Sequence, residues 1–378
     1  MTQPADSVDR ASLYIHIPWC RARCGYCDFN TYVPSDLSQV SRYVAAVLLE
    51  LAQASQQLEG RTITTVYFGG GTPTMMSATH FRQIMDSITA LFDISPDAEI
   101  TTEANPETVN ASLLCDLRET GINRISIGMQ SVVPRVLLTL DRVHTPSRVG
   151  QAVMWARAAG FSNLSLDLIY GTPGESISDW EQSLEAALGL EPDHISAYAL
   201  ILEPATPLAR RIASGEFSSP DDDDQADKYL KADQIMSAAG LEWYEISNWA
   251  KPGNQCQHNL VYWHSGVWWG IGAGAHSHVS GRRWWNQKNP SAYCTQLEDG
   301  ASPVAGFEEL SQLERQCEAI MLGLRLASGI KHSQLSEQGL ARAKSYIASG
   351  HLEQQGTHLV CTTTGRLIAD GIIGQIID

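Results

Sequence analysis

The chain has 378 residues, 43% hydrophobic and 18% charged, which excludes a disordered protein and gives length enough for two domains. Lys+Arg 26 against Asp+Glu 42 leaves a net charge of −16, excluding a general nucleic-acid binder, whose surface needs basic groups to displace counterions. No run of about eighteen apolar residues occurs, so no membrane span is expected.

The N-terminal MTQPADSVDRAS lacks the basic-then-apolar order of a signal peptide, so a cytoplasmic protein is expected. In that compartment clustered cysteines are metal ligands more often than disulfides. The first β-rich run, LYIHI (13–17), leads directly into such a cluster, with Cys20, Cys24 and Cys27 inside eight positions. A helical pattern follows, carried by Val44, Val47, Leu48, Leu51 and Leu58. Further β-rich runs are TVYFG (65–69), EITTE (99–103), RISIG (124–128), LSLDLI (164–169) and HISAYAL (194–200), with SDWEQSLEAALGL (178–190) as an amphipathic helix before the last. Strands alternating with helices imply βαβ units and a parallel sheet. Six units are too few for an eight-stranded barrel, so an α/β partial (β/α)6 barrel is expected.

In such folds functional groups gather at the C-terminal ends of the strands. There the sequence places the cysteine loop, GGGTPT (69–74), Glu103, Gln130, Asp167 and Tyr198. Beyond residue 205 the grammar changes. SSPDDDDQADK (218–228) reads as a solvated acidic loop leading into a helix; its four adjacent aspartates lack the alternating spacing of a calcium loop. Seven of the ten tryptophans then fall between 243 and 285, beside His258, His264, His276 and His278. That composition suits either aromatic packing or a flat apolar ligand with a His donor. GIGAGAHS (270–277) is expected to make a close backbone turn, because no strand–turn–helix unit surrounds it. Helices near 308–327 and 333–349, a short strand and a last helix suggest a winged-helix-like unit over 305–378. The division expected is a core domain, 1–230, and a C-terminal α+β domain, 231–378. The remaining cysteines (Cys115, Cys256, Cys294, Cys317, Cys361) are scattered singly and expected to be small buried hydrophobes.

Three thiolates can hold an iron–sulfur cluster, a zinc ion, or nothing. Structural zinc wants four ligands, whereas a [4Fe–4S] cluster on three cysteines keeps one iron open for a small molecule. GGGTPT, read alone, is equally a tight turn or a backbone approaching a ligand. The Cys-x-x-x-Cys-x-x-Cys spacing after the first strand of a βα series resembles the radical S-adenosylmethionine superfamily. YFGGGTPT, EANPETV, GINRISIGMQS, LDRVHT, HISAYALILEPATPL and YEISNWA resemble its branch of oxygen-independent coproporphyrinogen III oxidase-like proteins over nearly the whole chain.

The resemblance implies a [4Fe–4S] cluster on Cys20, Cys24 and Cys27, and S-adenosylmethionine at the open iron. Gly70, Gly71 and Thr72 would cradle its amino group and Arg142 would face its carboxylate. Tyr14, Glu103, Gln130 and Asp167 would surround the rest, Asp167 at the ribose. Members that oxidise coproporphyrinogen III follow the third cysteine with Cys-x-Cys, whereas here Phe29 stands in that place. The haem-chaperone members carry His-Asn-x-x-Tyr-Trp, matched by His258, Asn259, Tyr262 and Trp263. That implies a protein that binds haem and hands it to acceptor proteins, with an electron donor if the cluster is redox-active. The haem ligand would be His258, Tyr262 or a residue elsewhere.

Overall fold

The structure, a computed structural model, describes residues 9–142 and 144–377. Residues 1–8, where no signal peptide is expected, Val143 of LDRVHT and Asp378 lie outside the described residues. The six β-rich runs become β1 (Arg10–Ile17), β2 (Thr62–Gly70), β3 (Asp93–Ala104), β4 (Arg124–Gln130), β5 (Asn163–Tyr170) and β6 (His194–Ala199). Each pairs in parallel with the next. Helices Leu37–Gln57, Ala78–Leu91, Ala111–Glu119, Pro146–Ala158 and Ile177–Leu188 connect them. Their apolar stripes (Val44, Val47 and Leu51 in the first, Trp180 and Leu184 in the last) share one core with the outward-facing side chains of the strands.

Successive side chains on a strand point to opposite faces. In β4, Ile125, Ile127 and Met129 join the core, while Arg124, Ser126 and Gly128 line an internal cavity. Tyr14 of β1, Tyr67 of β2, Glu103 of β3, Asp167 of β5 and Ser196 of β6 line the same cavity, so the sheet curves around it as a partial barrel.

Two edges extend this sheet to twelve strands. Beyond β6 lie β7 (Glu242–Glu245) and β8 (Asn248–Ala250), β8 running antiparallel to β6. Beyond β1 lie β9 (Trp268–Ile271), parallel to it, then the antiparallel β10 (His276–Val279), β11 (Arg282–Asn286) and β12 (Val304–Glu309). Residue 230, the division expected from sequence, lies within helix Asp222–Ala238, and the strands of 242–309 belong to the barrel's own sheet. The tail forms a separate core around Ile320, Leu324, Ile372 and Ile376. Helices Gln312–Gly323 and Glu337–Ala348, strands β13 (Ile330–Lys331), β14 (Leu352–Gln355) and β15 (His358–Cys361), and helix Ala369–Ile376 make the expected winged-helix-like unit. Arg366 ties it to the barrel side, donating to Asp233 at 2.9 Å and stacking over Trp243.

Two local readings are corrected. The aspartate run is the start of a helix rather than a loop: Asp221 caps it, and Asp222, Asp223 and Asp224 fill its first turn, where the helix dipole favours anions. Of the five single cysteines, Cys256, Cys294 and Cys361 are buried, but Cys317 is half-buried and Cys115 exposed. GIGAGAHS makes the expected close turn. A Cβ on Gly272, at φ +110°, would sit 2.5 Å from the Tyr43 hydroxyl and 2.7 Å from the His16 carbonyl.

That turn is held by a buried carboxyl. Glu50 accepts from Gly272 N (2.7 Å), Asn286 Nδ2 (2.6 Å) and Tyr293 Oη (2.5 Å), and burial pushes it from 4.5 up to about 7. An acid raised in the folded state stabilises most below its unfolded pKa; this contribution is lost as pH rises from 4.5 through about 7. Glu50→Ala strands three buried donors and is expected to cost about 3 kcal/mol or more in urea denaturation. Glu50→Gln is expected to flatten the fall in stability between those pH values, and an unchanged slope would refute the assignment.

Candidate functional site

The loop after β1 carries the three thiols on a pinned neck. Cys20 N donates to Tyr32 O (2.9 Å), Tyr32 N to Pro18 O (2.7 Å), Gly71 N to Ile17 O (2.8 Å) and Thr72 N to Trp19 O (2.8 Å). Asn30 Nδ2 donates to Ala273 O (3.0 Å) and Lys288 O (2.9 Å), so the far side of the loop leans on the turn after β9. His16 Nε2 donates to Asn30 O (3.0 Å), which leaves Nδ1 to accept from the Tyr14 hydroxyl (3.0 Å).

All thirteen residues singled out by sequence line one cavity of ≈ 600 Å³: Cys20, Cys24 and Cys27 with Tyr14, Gly70, Gly71, Thr72, Glu103, Gln130, Arg142, Asp167, His258 and Tyr262. Tyr198 lines it too, half-exposed at the mouth. Three thiols on one loop are the donor set of a [4Fe–4S] cluster that keeps one iron open, whereas a structural zinc ion takes four ligands. Burial pushes the Cys20 thiol up to about 11, so its thiolate needs a cationic partner. Thr72 Oγ1 donates to Cys20 Sγ (3.7 Å) and Arg142 Nη1 to Cys24 Sγ (3.4 Å).

The rim beside the thiols also fits a zwitterionic ligand. Gly70 adopts φ +114°, and a Cβ there would lie 2.5 Å from the His16 ring. Arg142 Nη2 donates to Gly128 O (3.1 Å), while its Nε is buried without a partner. Gln130 sits at φ 63° on a β-bulge, which turns its side chain into the cavity. Glu103 accepts from Tyr67 Oη (3.0 Å) and Gly70 N (3.1 Å); burial, with the Asp167 carboxylate nearby, raises it to about 7. Asp167 accepts from Ser126 Oγ (2.8 Å), and burial raises it as well.

The inner end of the cavity contains groups that the motif reading passed over. Helix Gln257–Trp263 enters the lumen, and Glu99 of β3 holds its start by accepting from Gln257 N and His258 N, both at 3.0 Å. His258 is fully buried between two hydroxyls. Thr65 Oγ1 donates to Ser12 Oγ (2.8 Å), so His258 Nδ1 donates to Thr65 Oγ1 (2.6 Å), and Nε2 accepts from Tyr262 Oη (2.8 Å). Burial, then the Arg124 charge, lowers this imidazole to about 3, so it is neutral. A second chain runs from His194, which meets Ser165 Oγ (2.8 Å) and Tyr244 Oη (2.8 Å). Arg124, His194, Tyr244 and Cys256 line this inner end. Their signal in the sequence was the polar alternation Arg124-x-Ser126-x-Gly128 and His194-x-Ser196-x-Tyr198, legible only once the strands' polar face is known to be the inner one.

The tryptophan- and histidine-rich segment divides. His258 and Tyr262 reach the cavity, whereas His278 is satisfied by Gly266 O (2.8 Å) and Gly281 N (3.1 Å). Trp269 and Trp284 pack edge to face at 4.7 Å, as do Trp268 and Tyr262 at 4.8 Å.

A curved parallel sheet with three thiols after its first strand and a glycine cradle after its second defines a barrel of the radical S-adenosylmethionine class. The Radical SAM superfamily matches residues 14–187, and the HemN C-terminal domain matches 310–368. The chain is 46% identical to heme chaperone HemW of Mycobacterium tuberculosis over 97% of its own length and 94% of that protein. It is 33% identical to heme chaperone HemW of Bacillus subtilis, covering 97% and 99% of the two chains. The chain belongs to the HemW family. Its fold is also that of coproporphyrinogen III oxidase (HemN) from Escherichia coli, with a TM-score of 0.86 over 99% of this chain and 91% of that one at 22% identity. Among the described residues no helix is long and apolar enough to cross a membrane.

Gly71 offers a direct check on the neck. A Cβ there would meet Trp19 O at 2.7 Å and Cys20 Sγ at 3.0 Å, and the backbone oxygen cannot yield. Gly71→Ala is expected to lower stability by about 1–3 kcal/mol in denaturant titration. An unchanged midpoint would show that the neck is not packed as described.

Proposed function

We propose that this protein is a cytoplasmic haem chaperone, binding haem and transferring it to acceptor proteins. Membership of the HemW family supports the activity, and the convergence of thirteen sequence-selected residues on one cavity is the observation that carries the site. In this reading Cys20, Cys24 and Cys27 hold a [4Fe–4S] cluster and S-adenosylmethionine occupies the open iron. When bound, a redox-active cluster would supply an electron to the sulfonium, and an electron donor belongs among the partners if the cluster is redox-active.

The chain's own groups have separate tasks. Arg142, lining the cavity beside the thiols, receives the methionyl carboxylate, and Gly70, Gly71 and Thr72 admit the amino group against bare backbone. Glu103, Gln130, Asp167 and Tyr14 enclose the adenosyl part, Asp167 accepting from the ribose. The barrel, whose sheet runs on through 242–309, then carries the haem-facing segment, and the tail supplies the winged-helix-like unit.

His258 has the form an iron ligand requires. It is neutral, its Nδ1–H is fixed by Thr65, and its Nε2 carries the lone pair. Tyr262 Oη covers that lone pair, so haem ligation requires the phenol to turn aside. Titrating haem into the wild type is expected to give a saturable Soret change near one equivalent. His258→Ala should weaken it about tenfold or more, whereas Tyr262→Phe should retain it. Absence of saturable binding by the wild type would overturn the function, and loss only in Tyr262→Phe would move the ligand to Tyr262.

The cluster is tested separately. Anaerobic reconstitution should yield about four irons per chain in the wild type and well below that in Cys24→Ala. Equal iron contents would remove Cys24 from the ligand set.

A further inference from the structure

The inner end of the cavity holds a guanidinium that, among the described residues, no protein acceptor binds directly, although the Glu99 carboxylate lies close enough to favour its charge. Arg124 begins β4 on its concave face, is 2% exposed, and lines the cavity. Among the described residues it has no salt-bridge partner within 4.0 Å, and its Nε is buried with no hydrogen-bond partner.

The nearby acceptors are already engaged. Glu99 is the closest candidate by strand position, but it accepts from Gln257 N and His258 N at 3.0 Å and from the Cys256 thiol at 3.5 Å. Asp167 is committed to Ser126, and the Tyr244 hydroxyl lies between His194 Nε2 (2.8 Å) and Cys256 N (3.4 Å). The other buried guanidinium lining this cavity, Arg142, is at the thiol rim, bonded to Gly128 O and Cys24 Sγ. A buried guanidinium whose donors are unmet is costly even with a carboxylate nearby, and its fork matches a carboxylate in two parallel hydrogen bonds.

We propose that Arg124 receives the carboxylate of a ligand that enters the barrel past the thiol rim. A single guanidinium fork suits one carboxylate group of such a ligand, whatever the ligand carries at its far end. The surrounding Tyr67, Tyr244, His194 and His258 rings offer aromatic walls to the rest of such a ligand. Two sources share this chemistry, a haem propionate and a small free dicarboxylate, and the first of them rests on the haem reading above.

The experiment titrates the full-length protein with haem and with haem dimethyl ester, whose propionates are blocked, and separately follows its melting temperature with succinate. For a propionate, the wild type prefers haem over the ester by about tenfold, and Arg124→Met removes that preference. Arg124→Lys keeps the charge without the fork and retains part of it. For a free carboxylate, haem and ester bind alike, while succinate raises the melting temperature of the wild type and leaves that of Arg124→Met unchanged. A preference that survives in Arg124→Met overturns the inference. So does a wild type indifferent to both the ester block and succinate, a comparison that stands even if neither variant folds. Failure of the wild type to bind haem at all sinks the haem reading alone, and the succinate arm then decides this one.

Discussion

Everything in this molecule depends on a barrel whose inner face is polar. Each of the six parallel strands sends apolar side chains outward to the helices and polar ones inward. In most parallel sheets both faces are buried in apolar packing, and the strands read as continuous hydrophobic runs. Here Ser12, Thr65, Glu99, Ser126, Ser165 and Ser196 replace that inner packing, and a buried polar group is tolerated only when hydrogen-bonded. The lumen is therefore a set of short chains of donors and acceptors, such as Ser12–Thr65–His258–Tyr262.

This requirement separates groups that hold the fold from groups reserved for a ligand. Glu99 is saturated by the start of helix Gln257–Trp263, so its work is structural: it fixes the segment carrying His258 inside the barrel. Glu50 does the same for the turn after β9, and Tyr43 links that turn to β1 by accepting from Ala273 N and donating to His16 O, both at 2.8 Å. Arg142 Nε and Arg124 Nε are buried and unsatisfied. Both side chains line one cavity, where the ligands proposed above would complete their hydrogen bonding.

Much of the barrel was legible because its signals are local. β-rich runs, intervening amphipathic helices and the thiol spacing each depend on neighbouring residues, and the structure returns all six strands in the expected order. The rim residues were legible for a related reason, since the C-terminal end of a strand is a position in sequence as well as in space. What stayed hidden was long-range. β9 and β1 are far apart in sequence, yet Ser12 meets Trp268 and Tyr14 meets Gly270 in a parallel pair. No local pattern in either segment announces that partner. The aspartate run misled for a local reason, because four adjacent acids suggest solvent, whereas a helix N-terminus stabilises the same charges.

The parallel pairing of β9 with β1 also explains why the aromatic segment belongs to the site. β1 ends in the thiol loop, so whatever pairs with β1 and turns beneath that loop sets its height. The Gly272–Gly274 turn can pass under His16 and Asn30 because neither glycine carries a Cβ; one at Gly274 would lie 2.6 Å from Asn30 Nδ2. Asn30 in turn fastens the loop to Ala273 O and Lys288 O. The thiols at one end of β1 and His258 at the cavity's inner end are thus positioned by the same stretch of chain, 257–288. A change that loosens this stretch would shift both ends of the cavity together, so the thiol loop and the proposed haem ligand form one mechanical unit.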